Sequence, residues 1–160
     1  MDAVWTWLES LPLAMHVGET WWFPLLESIH VVAATFLVGS IAMLDFRLIG
    51  RGTIDQRVSR LSRDIVPWTL AAAVVAVATG LPLFSTRATH YAHNTAFQIK
   101  VGLLVLAGLN MLWFHFRTSA TMTAWDAEAR PIRAARLAGV GSLLLWAGIM
   151  LSGRWVGHLL

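Results

Sequence analysis

Polar residues along this chain gather between long stretches that carry almost nothing but apolar side chains. Four such stretches, Pro24 to Phe46, Ile65 to Phe84, Ala96 to Phe116 and Leu137 to Trp155, are each close to the ~20 residues that take an α-helix across ~30 Å of hydrocarbon. The pattern predicts an all-α integral membrane four-helix bundle, with spans at about 24–46, 65–84, 96–116 and 137–155. Residues 1–20 read differently. Val4, Trp5, Trp7, Leu8 and Leu11 can dip into a headgroup layer while Asp2 and Glu9 stay in water, so an interfacial helix is expected there, ended by Pro12. With no basic n-region and no continuous apolar core, this segment is not read as a signal peptide.

Residues 1–160 are expected to form one membrane domain, with no internal repeat and no appended soluble domain. Helix two carries Ala72, Ala76 and Gly80 at four-residue spacing, a seam that lets another helix approach closely. Gly139, Gly141, Ala147, Gly148 and Gly153 read as packing positions in helix four. Pro67 is tolerated near the start of helix two, and Pro82 is expected to kink or end it. A short surface helix is expected within Gly50 to Arg63, a basic loop suited to lipid headgroups.

Composition agrees. The chain is 57% hydrophobic and 13% charged, against roughly 25% charged in soluble domains, and its mean hydropathy is +0.63. The absence of cysteine excludes disulfides, thiolate-bound haem and cysteine catalysis. A pI near 10.6 does not imply nucleic acid, because no basic face with interleaved aromatics forms. The basic residues follow membrane topology instead. Arg47, Arg51, Arg57, Arg60, Arg63, Arg117, Arg130, Arg133 and Arg136 lie at one side, against Arg87, Lys100 and Arg154 at the other. The positive-inside rule puts the nine in the cytoplasm and both termini outside. Trp21, Trp22 and Trp155 then fall at the outer boundary and Trp68 and Trp113 near the inner one, as interfacial anchors.

Candidate chemistry comes from polar residues inside the apolar runs. Glu27 and Asp45 are eighteen residues apart, five full turns, and His30 lies within about 60° of both, so the three share a stripe expected to face the bundle. Depth divides them: His30 sits roughly 9 Å below the outer boundary and Asp45 at the inner end. On helix three Lys100 is near the outer end, Asn110 is deep and His115 is near the inner end. The expected pairings are Glu27 with Lys100, and Asp45 with His115 or Arg47, since an unpaired charge in hydrocarbon is costly. Such pairs can equally do no more than fix helix register.

Haem b is the sharper possibility, because bundles hold haem through histidines of facing helices. His30 and His115 cannot share one iron, being ~20 Å apart in depth. A second ligand for His30 would come from His90, His93 or His158, or His30 would act alone. A metal reading joins His30 to His90-Tyr-Ala-His93, whose His-x-x-His spacing suits copper or zinc, with His16 and His158 on the same side. Glu27-Ser-Ile-His30 is half of a di-iron motif whose other parts are missing. No nucleophile elbow, phosphate loop, dinucleotide fingerprint or His-Glu-x-x-His signature occurs. The chain on its own is therefore not read as an enzyme.

Several stretches together resemble a family of uncharacterised bacterial inner-membrane proteins of about this length, a domain of unknown function. They are Glu27-Ser-Ile-His30, Leu44-Asp-Phe-Arg-Leu-Ile-Gly50, Asn94 to Lys100, Asn110 to His115, Trp125-Asp126, Pro131 to Arg136 and Gly153-Arg-Trp155. The resemblance implies four helices in the bacterial inner membrane. It places Glu27, His30, Asp45, Lys100, Asn110 and His115 on motif positions, and His90 and His93 off them. A histidine in an apolar helix also gives a looser likeness to copper-resistance membrane proteins and b561-type cytochromes. The functional expectation is a redox or cofactor-binding membrane subunit with haem b or quinone near His30. Glu27, Lys100 and Asn110 complete its polar network, and Asp45 with His115 forms an inner lock or proton-handling pair. Its partners would be the bilayer, a quinone or membrane redox protein, and a second copy in a homo-oligomer. The competing expectation is a copper or proton carrier, or an accessory structural subunit.

Overall fold

A computed structural model describes residues 2–51, 57–118, 125–126 and 131–158. They form seven α-helices: α1 (Asp2–Glu9), α2 (Pro12–Glu19), α3 (Trp22–Ile49), α4 (Val58–Ser85), α5 (Ala88–His93), α6 (Thr95–Trp113) and α7 (Arg133–Val156). A single π-helical turn, Phe114–Thr118, extends α6. There is no strand among the described residues. Trp22–Ile49, Val58–Ser85, Thr95–Arg117 and Arg133–Val156 are each long and apolar enough to cross a membrane, so this is a multi-pass all-α membrane protein.

The apolar windows of the sequence lie inside longer helices. α3 and α4 each have 28 residues, about 42 Å at 1.5 Å per residue, and so outrun a ~30 Å hydrocarbon layer at both ends. The expectation that Pro82 ends or kinks helix two needs correction at the level of length, because α4 continues to Ser85. The N-terminal segment is also corrected: a first helix stops at Glu9, short of Pro12, but Pro12 then begins a second, at the first helical position, where its missing N–H leaves no bond unmade. From Val58 onward the basic loop is already α4. The rest of the expected surface helix falls on residues 52–56, which lie outside the described residues, as does Arg130.

Packing is sequential across the molecule. α3 packs against α4 and α7, and α7 packs in turn against α6. Small residues set these approaches. A Cβ on Gly139 of α7 would lie 3.1 Å from the Asp45 carbonyl oxygen and 3.1 Å from Leu48 Cβ, and one on Gly148 would lie 3.0 Å from Leu103 Cδ1. The helix pairs are also tied by polar groups. Thr69 donates to Ser40 Oγ at 2.8 Å between α4 and α3. Asn110 Nδ2 donates to the Ala138 carbonyl at 3.0 Å, and Asn94 Nδ2 to the Val156 carbonyl at 3.4 Å, joining α6 to α7 near both ends.

The two ends of the molecule differ. At the histidine end, α1, α2 and α5 pack on the ends of the long helices, and Trp5, Phe84, Tyr91 and Phe97 form an aromatic cluster with centroid separations of 5.2–6.1 Å. At the arginine end, Leu48, Val58, Trp125 and Ala135 form a buried apolar cluster, with Leu44 and Phe114 against it. There α3 stops at Gly50, whose φ of 82° gives the left-handed cap that lets Arg51 N–H reach the Phe46 carbonyl at 2.9 Å and Gly50 N–H the Arg47 carbonyl at 3.1 Å.

Candidate cofactor site at the histidine end

His30 enters α3 eight residues after its start, about 12 Å along the axis. Its ring is half-buried against α4. Nδ1 lies 2.8 Å from the Ala76 carbonyl oxygen and 3.2 Å from Thr79 Oγ1. A carbonyl only accepts, so Nδ1 carries the proton and Nε2 bears the lone pair. Thr79 is itself held to its own helix, donating to the Val75 carbonyl at 2.7 Å. Nε2 has no hydrogen-bond partner among the described residues.

Gly80 makes this placement possible. A Cβ there would stand 2.9 Å from His30 Cε1 and 3.2 Å from Nδ1, inside the contact limit. The small-residue seam Ala72, Ala76, Gly80, read from sequence as helix packing, therefore also seats the histidine ring. Spacing alone could not separate these roles, since both ask only for a missing side chain. Lys100 lies beside Gly153 of α7, where a Cβ would make only an ordinary contact with Nζ at 3.7 Å. Lys100 and Glu27 both lie within electrostatic range of the His30 ring.

The Glu27–Lys100 ion pair expected from sequence does not form. Glu27 is exposed, and Asp2–His93 at 3.1 Å is the sole ion pair among the described residues. The single stripe also divides, because α3 lies between two neighbours: His30 packs on α4, whereas Asp45 turns to α7, where Ser142 lies beside its carboxyl. The expected Asp45 pairing with His115 or Arg47 is likewise absent. His115 is exposed on the π-helical turn, edge-on to Phe116 at 5.5 Å. Arg47 is 2% exposed and acts electrostatically on Asp126. Asn110 serves the α6–α7 seam, remote from His30.

Nor does His30 meet His90 and His93. His93 Nε2 pairs with Asp2, and both histidines, on α5 and not on a loop, line an open cleft of about 620 Å³ with Glu9, Thr86, Arg87 and Thr89. No group of three or more His, Asp or Glu side chains converges among the described residues. Near this cleft, burial pushes the Tyr91 phenol above its ordinary value of 10.0 and the Glu27 carboxylate adds to the shift, with Arg87 opposing.

At the arginine end, Asp126 is the residue that sequence reading undervalued. Arg57, the N-cap of α4, supplies no side-chain bond. Asp126 supplies two, to Ser59 across 67 positions of sequence: Oδ1 accepts Ser59 N–H at 2.7 Å and Oδ2 accepts Ser59 Oγ–H at 2.5 Å. Its sequence signal was a Trp-Asp pair in a polar loop. Trp125 of that pair meets Leu44 and Leu48 of the Leu44 to Gly50 stretch in one cluster.

A family model matches residues 10–159, described as DUF6644, a family of unknown function. The chain belongs to the DUF6644 family. No curated protein and no solved structure matches it. In this DUF6644 protein the match spans all four membrane helices and the whole of α2 and α5.

Proposed function

We propose that this DUF6644 protein is a redox-linked, cofactor-binding subunit of the bacterial inner membrane, holding haem b or a quinone against His30 at the histidine end. One observation carries the reading: the bond from Nδ1–H to the Ala76 carbonyl fixes the tautomer and leaves the Nε2 lone pair unengaged. Ligand histidines commonly have their second nitrogen fixed in this way.

The residues present suit either occupant. Nε2 can ligate iron or accept a hydroxyl proton from a quinol. The Lys100 ammonium, with no carboxylate within 4 Å among the described residues, can balance a propionate or donate to a quinone oxygen. Haem would bring one-electron chemistry, and a quinone coupled electron and proton transfer. His93 is engaged with Asp2 and His158 lies edge-on to Trp155 at 6.1 Å, which favours His30 as sole histidine ligand. The arginine-rich end faces the cytoplasm in this reading, with α1 and α2 on the outer surface.

Protein purified after haem-replete expression tests the choice. A Soret band supports haem. Its absence, with quinone recovered by solvent extraction, supports quinone, and absence of both contradicts the proposal.

A further inference from the structure

Asp45 takes no part in the site around His30. It is 4% exposed, lies in the membrane-crossing helix α3, and has one carboxyl oxygen, Oδ2, buried without a hydrogen-bond partner. Ser142 on α7 lies beside its carboxyl, and close packing at Gly139, against the Asp45 backbone, closes the seam there.

Charged and titratable groups surround the position without reaching it. On α3, Arg47 is two residues further on. From α4, Arg60, Arg63 and Asp64 are exposed; from α7, Arg133 and Arg136 are exposed; on the π-helical turn, His115 and Arg117 are exposed. None makes an ion pair with Asp45. An ionised carboxylate with one bare oxygen in such a place is strongly disfavoured, whereas a carboxylic acid is not, because its second oxygen then carries O–H.

We propose that Asp45 is a proton-binding site. Oδ2 takes up one proton to give the neutral acid, beside Ser142 of α7, and releases it to restore the carboxylate. Asp45 therefore handles protons without the His115 partner expected from sequence, and the proposal holds whatever His30 binds.

Infrared spectra of the purified full chain near neutral pH test this. The carbonyl band of a protonated carboxylic acid is expected in the wild type, shifted by Ser142→Ala, lost in Asp45→Asn and retained in Glu27→Gln. Asn mimics the neutral acid in shape, so the variant is expected to fold. A wild type without the band, or a band that survives Asp45→Asn, overturns the proposal. Should Asp45→Asn fail to fold, a band unmoved by Ser142→Ala overturns it equally.

Discussion

Gly80 and His30 form a matched pair, one missing side chain making room for one ring. Gly80→Ala would place a methyl 2.9 Å from Cε1, and the ring, as the end of a flexible side chain, would swing and lose its Ala76 bond. That bond is worth about 1 kcal/mol, so the fold should survive while bound cofactor falls severalfold. Gly102→Ala, where a Cβ meets nothing within 4 Å, should leave occupancy unchanged. Cofactor per protein in the two variants checks this. His30, Lys100 and Asp45 could be found from sequence because a polar side chain in an apolar run is conspicuous. Their partners could not, since Ala76 contributes a carbonyl that every residue has and Ser142 is one serine among several.

Among the elements, α4 depends most on a distant residue. Burial raises the Asp126 carboxyl, but the two Ser59 hydrogen bonds and the guanidiniums of Arg57 and Arg47 outweigh it, so the group sits below its ordinary 3.8. A depressed carboxyl stabilises the fold above its unfolded value and loses that contribution as pH falls through the folded one. Asp126→Ala should therefore cost about 1 kcal/mol, the usual worth of a lost cap, at neutral pH. The gap to wild type should close as pH drops below 3.8. Thermal unfolding in detergent across that range measures it. The helices themselves were legible from apolar run length. Their ends were less so, because polar first turns such as Val58–Arg63 look like loop until a cap such as Asp126 is known. The π-helical turn carrying His115 left no mark on the residue pattern.

At the level of the whole molecule, sequential packing of α4, α3, α7 and α6 explains why the expected stripe of three ionisable residues does not act as a unit. A central helix has two faces to satisfy, and a rotation of about 60° between His30 and Asp45 sends them to different neighbours. The chain has no cysteine, so orientation can be read from single introduced ones. Glu19→Cys and His90→Cys, both at exposed positions, should react with a membrane-impermeant maleimide in intact cells. Arg51→Cys and Arg136→Cys should react only after permeabilisation, and the reverse pattern would invert the topology.

The account centres on a cofactor held through His30 Nε2. Its most direct test is the cofactor content, haem and quinone together, of wild type and His30→Ala purified in parallel from the same membranes. The account predicts a substoichiometric to stoichiometric cofactor in the wild type and at least a tenfold loss in the variant, about 1.4 kcal/mol or more of binding. Equal occupancy in the two proteins would contradict it.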